Sequence, residues 1–504
     1  MNIKRAKEEI KDTIAAYLMK DEFGNYEIPS IRQRPVLLIG PPGVGKTQIM
    51  EQISRECQIG LVAYTITHHT RQSAIGLPFI EKKQYGGQEY AVTEYTMSEI
   101  VASVYDKIEQ TGLLEGILFI DEINCVSETL APTMLQFLQG KSFGAHKIPE
   151  GWVIVAAGNP PEYNKSVREF DIVTLDRIRM IMVEPDLDAW KEYAERVNIH
   201  PAVRSYVNIR RQNFCQIETT VDGKLFATPR GWEDLSELIM VYEKLGKTID
   251  RDVVAEYIQF PKIAKDFANY LELYYKYQDD YQVERILEGE IPAGAVEKLG
   301  RAAFDERISV VGLLLSGLGN QFRAVWQQEK VLEQTMEQLK KIHGQPEFGR
   351  YPLIVLGQVI EALSKEREKK LAAGLLSGMD RKLSMEVEKK LETYLGILRR
   401  EDIDERSGVN GETVWIRIRE LFGSDSDHYE ALLEHGGTML EHAFDFMEAA
   451  FYNSQELVMF LTELNTGYYS IHFLQQYDCE RYYQYNKNLL FDEQEQGILN
   501  DMVR

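Results

Sequence analysis

The residues able to do chemistry fall in three short stretches, each directly after an apolar run. The first is Gly40-Pro41-Pro42-Gly43-Val44-Gly45-Lys46-Thr47, which follows Val36-Leu37-Leu38-Ile39. Its pattern, G-x-x-x-x-G-K-[ST] between a buried strand and a helical stretch from Gln48 to Cys57, is that of a phosphate-binding loop. Gly43 and Gly45 allow backbone angles closed to other residues. Successive N–H groups can then turn inward on phosphates, at the positive end of the following helix. Lys46 reaches the β and γ phosphates of a nucleotide, and Thr47 offers its hydroxyl to a magnesium ion bridging them. A glycine turn that only joined a strand to a helix would not call for Lys-Thr at this point.

The second stretch is Asp121-Glu122, which ends the apolar run Ile117-Leu118-Phe119-Ile120, 75 residues beyond Lys46. Asp121 can hold magnesium through its waters, and Glu122 can polarise the water that attacks the γ-phosphate. An acidic pair at a strand end often just meets solvent; behind a phosphate loop it reads as the carboxylates of a nucleotide hydrolase. The third is Gly158-Asn159-Pro160-Pro161, closing the run Trp152 to Ala157. Asn159 lies where ligands bind in an open parallel sheet, and its amide either orients a water or forms a turn before two prolines. Three arginines join the candidates. Arg177 and Arg179 stand in Leu175 to Met180, where they read as surface charges. Arg230 follows Thr228-Pro229 in the first turn of a helix, where a cation opposes the helix dipole unless an anion lies nearby.

Elements that position these residues follow from the apolar pattern. An amphipathic N-terminal helix carries Ile3, Ala6, Ile10, Ile14 and Leu18, and it lacks the apolar centre of a signal sequence. Strands are expected at Val36 to Ile39, Leu61 to Ile66, Ile117 to Ile120, Trp152 to Ala157 and Ile181 to Val183, with helices at Ser98 to Gln110 and Glu128 to Leu138, the latter capped by Gly140. Lys82 to Val92 is a glycine-containing insertion, and Lys141 to Gly151 a hairpin-like excursion. From Leu187 to Tyr277 the pattern is mostly helical. Val283 to Val296 reads as a linker, and long helical patterns fill the rest. Three segments result: 1–190, 191–280 and 281–504. Tyr468, Tyr469, Phe473, Tyr477, Tyr482, Tyr483, Tyr485 and Phe491 form an aromatic cluster, read as core, with a protein-docking surface as the sharper alternative.

Composition narrows the function. A length of 504 residues and 44% hydrophobic content allow a large core, and no run approaches the roughly 18 apolar residues of a membrane span. The net charge of −22 is concentrated at the C-terminal end, where residues 401–504 carry 6 Lys+Arg against 21 Asp+Glu. Such a field repels phosphate backbones and disfavours nucleic acid as the main partner. Cys57, Cys125, Cys215 and Cys479 form no C-x-x-C pair, which suits a reducing cytoplasm. The adjacent His68 and His69 would point to opposite faces of a strand, so a shared metal is not expected.

The ordered set GPPGVGKT, ILFIDEIN, VIVAAGNPP, LDRIRM and ATPRGWEDL resembles the AAA+ ATPases and, within them, the MoxR family. The likeness covers roughly the first 280 residues. It implies an α/β fold: an αβα nucleotide-binding domain with a parallel sheet, a helical lid, and an additional all-α C-terminal region. It also implies a ring, commonly of six copies, with ATP and Mg2+ bound between neighbours. By position, Gly40 through Gln48 with Asp121 and Arg230 would contact nucleotide, and Thr47 and Asp121 would hold the metal. Glu122, Asn159 and Arg177 would serve hydrolysis, Arg177 as a finger into the neighbouring site with Arg179 as the fallback. Members often act as chaperone-like remodellers with proteins carrying a von Willebrand factor A domain. A nucleotide-operated switch and a nucleic-acid motor are the competing readings. Guanine selectivity lacks its N-K-x-D signature, since Asn164-Lys165 is followed by Ser166-Val167 and Asn486-Lys487 by Asn488-Leu489.

Overall fold

The computed structural model describes residues 1–504 apart from 69–75, 144, 164–169, 171, 222, 402–410, 453 and 488–504. His69, Asn164 to Val167, Asn488-Leu489 and Phe491 lie outside the described residues, as does the side chain of His68. Contacts group the chain into two compact units. One is Met1–Ala189 with Thr228–Arg230 and Glu366–Arg381; the other is Trp190–Ala227 with Gly231–Lys365 and Lys382–Arg504.

In the first unit, the strands β1 (Val36–Ile39), β2 (Gly60–Thr65), β5 (Gly116–Asp121), β8 (Trp152–Gly158) and β9 (Arg179–Met182) form one parallel sheet in the order β2-β5-β8-β1-β9. Because side chains alternate along a strand, the sheet sorts its residues onto two faces. Val36, Leu38, Phe119, Val155 and Ile181 pack with Ala6, Ile10 and Ile14 of α1 (Ile3–Leu18) and with Ile49, Met50 and Ile53 of α2 (Lys46–Cys57). Leu37, Leu118, Ile120, Ile154 and Ala156 pack with Ile100, Val101 and Val104 of α3 (Glu99–Thr111) and with Met134 and Phe137 of α4 (Ala131–Gly140). Continuous apolar runs are what a parallel sheet covered on both sides requires. At the sheet's other end the fully buried Trp152 fills the space over two glycines, since a Cβ on Gly60 or Gly116 would meet its ring at 2.9 and 2.7 Å.

The glycine-containing insertion is an antiparallel hairpin, β3 (Pro78–Tyr85) and β4 (Gln88–Tyr95), turned by Gly86 and Gly87 at φ 59° and 85°. Positive φ at both central residues is the tight two-residue turn that glycines favour. A second, small hairpin, β6 (Ser142–Phe143) and β7 (His146–Lys147), sits between α4 and β8. The cap of α4 differs from expectation. Gly140 is inside the helix, and Lys141 takes the left-handed position at φ 50°, buried, with Nζ donating to Gln33 Oε1 at 2.8 Å. That bond locates the lysine where a glycine would be the easier choice. A short helix, α5 (Ile172–Leu175), precedes β9.

The second unit is mainly helical: α6 (Leu187–Arg196), α7 (Pro201–Ile209), α8 (Pro229–Lys244), α9 (Arg251–Tyr257), α10 (Pro261–Tyr281), α11 (Val283–Leu287), α12 (Ala295–Arg301), α13 (Phe304–His343), α14 (Pro352–Ala373), α15 (Gly378–Arg400), α16 (Gly411–Phe451), α17 (Gln455–Thr466) and α18 (Tyr468–Leu474). The ends of α6, α8, α14 and α15 belong to the first unit. Two stretches depart from the sequence reading. An antiparallel hairpin, β10 (Gln216–Thr220) and β11 (Gly223–Ala227), interrupts what was expected to be helical. The expected linker holds α11, with Val283, Ile286 and Leu287 buried; a Cβ on Gly317 would meet Leu287 at 2.3 Å. Those three apolar residues lie on one helical face and are packed, which no linker requires.

Around α13 part of the aromatic cluster is core. Phe322 stacks on Phe473 at 4.1 Å between ring centroids, and a Cβ on Gly437 would meet the Tyr477 ring at 2.0 Å. Tyr469 and Phe473 are buried, whereas Tyr483 is exposed. By length and composition α13 could cross a membrane, but 56% of its most apolar stretch is buried within the chain, the burial expected of a core helix.

Candidate active site

The strand order brings the three motif-bearing ends together. β1 delivers the loop that starts α2, β8 runs beside β1 and ends one residue before Asn159, and β5 beside β8 ends at Asp121. Carboxyl ends of parallel strands are where open α/β sheets bind ligands.

Lys46 is the centre of the arrangement. Its Nζ donates to Gly40 O at 2.7 Å, Pro41 O at 2.9 Å and Asn159 Oδ1 at 3.0 Å, so all three donors of the ammonium are answered. Burial pushes the Lys46 pKa down to about 8. The charge of Asp121 works against this, Arg230 adds to it, and Glu122 opposes it. Gly45 caps α2 at φ 91° and Gly43 sits at φ 80°, the left-handed angles the loop needs. A Cβ at Gly43 would stand 3.0 Å from Thr228 Cβ and 3.4 Å from Arg230 Cβ, and one at Gly40 would meet Val183 O at 2.6 Å. The loop therefore passes close to Thr228 and Arg230 with space only for glycine. Pro41 and Val44 are buried, Pro42 is exposed, and Gln48 lies in the first turn of α2.

Thr47 Oγ1 donates to Asp121 Oδ2 at 3.0 Å, and the Glu122 N–H donates to Asp121 Oδ1 at 2.9 Å. A hydroxyl and a carboxylate converging in this way are hard oxygen donors, a set that fits magnesium. Glu122 itself has φ 56°, an angle uncommon for a residue with a side chain, and its carboxylate is half-buried. A strained position at a strand end is often kept where chemistry is done.

One residue that the sequence reading passed over positions another. Asn124, buried just after the acidic pair, donates from Nδ2 to Asn159 O at 2.8 Å, and a Cβ on Gly158 would meet Asn124 Oδ1 at 2.4 Å. Its place in Ile-Asn after Asp-Glu was the available signal. The arginines divide. Arg230, exposed at the start of α8, acts electrostatically on Lys46. Arg177 is exposed, with Nη1 donating to Gln139 Oε1 at 2.6 Å. Arg179 begins β9 and is tied to α1, with Nη2 donating to Glu9 Oε2 at 2.5 Å and Nη1 to Thr13 Oγ1. Among the described residues no cluster of His, Cys, Asp and Glu has the form of a separate metal centre.

Comparison with known proteins agrees with this geometry. Residues 36–175 match the family described as ATPase family associated with various cellular activities (AAA). No curated protein matches the chain. Among solved structures, a candidate ATPase from Cytophaga hutchinsonii is 16% identical with a TM-score of 0.23, covering 38% of this chain and 56% of its own. The chain thus spans little more than half the length of that protein. The RuvB Holliday junction branch migration motor of Thermotoga maritima is 15% identical with a TM-score of 0.26, covering 51% of this chain and 71% of its own. Residues 36–175, which carry the phosphate-binding loop, the acidic pair and Asn159, are thus the part of this chain that is similar to the AAA ATPase family.

Proposed function

We propose that the chain is a MoxR-like AAA+ ATPase that assembles into a ring, commonly of six copies, and uses ATP hydrolysis to remodel a partner protein. The observation that carries the hydrolytic part is the Lys46 ammonium held between the loop carbonyls and Asn159, beside the Thr47–Asp121 pair. Lys46 and the loop N–H groups bind the nucleotide phosphates, with Arg230 at the loop's flank adding positive charge. Magnesium, held by Thr47 and Asp121 when bound, supplies neutralisation of the phosphate charge. Glu122 accepts the proton of the attacking water, and Asn159 orients that water through its amide. Arg177, whose exposed guanidinium donates to the neutral Gln139, is available to a neighbouring copy. The order of the five motifs supports the MoxR assignment, and a partner with a von Willebrand factor A domain and the chaperone-like role are what that resemblance implies. None of Cys57, Cys125, Cys215 and Cys479 forms a disulfide, which supports work in a reducing cytoplasm.

The test of the hydrolytic reading is Glu122→Gln. ATP and magnesium should stay bound while turnover falls by about two orders of magnitude, the scale of a lost general base. Unchanged turnover would move the base elsewhere.

A further inference from the structure

The helical unit contains a cavity of about 110 Å³, lined from α6, α7, α13, α17 and α18. A site holding one water needs roughly 10–15 Å³ on this measure, so the cavity admits a molecule of several heavy atoms. Its charges are uneven: Lys191, Arg204 and Arg323 face it together with only two carboxylates, Glu195 and Glu463.

Most of these groups answer one another. Lys191 Nζ donates to Glu463 Oε1 at 2.6 Å and Asn208 Oδ1 at 3.2 Å, and Asn208 Nδ2 donates to the same Glu463 oxygen at 3.0 Å. Glu195 Oε2 accepts from the Tyr468 N–H at 2.6 Å, while Oε1 stands 3.6 Å from Arg204 Nη1. Burial raises the Glu195 pKa, which weakens it further as a counter-charge.

What is left over is guanidinium. The Nε atoms of Arg204 and Arg323 are both buried with no hydrogen-bond partner. Among the described residues Arg323 has no carboxylate; its guanidinium lies 5.9 Å from the centroid of the Tyr469 ring. Guanidinium is a planar fork of fixed donors, matched by carboxylate and phosphate oxygens, and two half-buried forks lining one cavity, one of them with no carboxylate of its own, call for an oxyanion. We infer that this cavity binds a small oxyanion, a carboxylate or phosphate group, held by Arg323 and Arg204 with Lys191 adding positive charge. The site is separate from the phosphate loop, and it stands or falls independently of the ATPase reading.

The experiment uses the full chain carrying Lys46→Ala, so that anion binding at the phosphate loop is weakened. Inorganic phosphate and pyrophosphate form one arm and malonate and succinate the other. All are titrated calorimetrically against chloride at matched ionic strength. The expected result is saturable binding of one anion per chain in at least one arm, with a Kd on the order of 0.1 mM; the arm that binds names the source. Arg323→Gln should weaken that binding about tenfold or more. Gly319→Leu gives a second route, because Gly319 lines the cavity and a Cβ there meets nothing within 4 Å. The leucine should fill the space and abolish binding without lowering the melting temperature. No saturable binding in either arm would show that the cavity holds only water and would overturn the inference. Binding undiminished by both Arg323→Gln and Gly319→Leu would overturn it as well.

Discussion

The five-stranded unit buries Lys46 and the helical unit half-buries Arg204 and Arg323, and the two treat these cations in opposite ways. Lys46 spends every donor on groups of its own unit, two loop carbonyls and the Asn159 amide. Arg204 and Arg323 leave Nε unanswered. In the first unit the partners come from backbone that a loop of fixed pattern must present, so the charge can be located from motif spacing. In the second the charges come from helices far apart in sequence, brought together by core packing, and no spacing announces them. Charge with local partners is readable from a sequence; charge assembled by tertiary packing is not.

The comparison can be broken most severely at Lys46. Lys46→Ala removes the cation of the phosphate loop, and ATP affinity should fall by about 10³ or more; equilibrium binding of a fluorescent ATP analogue measures it. Tight binding retained would show that Lys46 does not hold the nucleotide phosphates. Next in size is Arg177→Ala, which should lower turnover by about 10³ with only a small change in ATP affinity, since such fingers act on charge that develops in transfer. Mixing it with Glu122→Gln should restore part of the activity, because some neighbouring pairs then combine an intact Glu122 with an intact Arg177. If mixed assemblies form and nothing returns, Arg177 acts within its own copy.

Smaller effects sharpen the contrast. Phe322→Ala takes the stacked partner from Phe473 and should cost the helical unit about 3 kcal/mol, seen as an earlier melting transition, while ATP affinity stays unchanged. A matching loss of ATP affinity would show that the two units do not carry separate stability. The smallest effect is on pH. Lys46, pushed down to about 8 from its usual 10.5 by burial, is charged below about pH 8 and neutral above it. Phosphate oxygens favour the charged form, so ATP affinity should fall by about tenfold between pH 7 and pH 9. Lys141 is pushed to about 8 by burial as well, so the profile is repeated in Lys141→Met to assign the effect. A flat profile would remove Lys46's depressed charge from the comparison.

How much was legible follows the same division. Lys46, Thr47, Asp121 and Asn159 could be placed because each ends or follows a continuous apolar run, and a two-sided parallel sheet leaves no other position for such runs. Three features were not legible, each for a physical reason. Gln216 to Ala227 alternates too weakly to declare a hairpin, which exists through the antiparallel pairing of β10 with β11. Val283 to Val296 contains Gly289, Pro292 and Gly294, so its punctuation concealed the short buried face of Val283, Ile286 and Leu287. The left-handed backbone of Glu122 and of Lys141 is imposed by the groups around them, since neither residue prefers it.

The packing of Trp152 over Gly60 and Gly116 has a spectroscopic consequence. Of the five tryptophans, Trp152 alone belongs to the first unit; Trp190, Trp232, Trp326 and Trp415 belong to the second. Its indole is sealed from water and its N–H has no acceptor, an environment that places fluorescence emission at the short-wavelength end. A chain with the other four replaced by phenylalanine would carry a single tryptophan, excited selectively over the tyrosines, on the strand that leads to Asn159. Its emission would follow unfolding of the nucleotide-binding sheet free of signal from the helices.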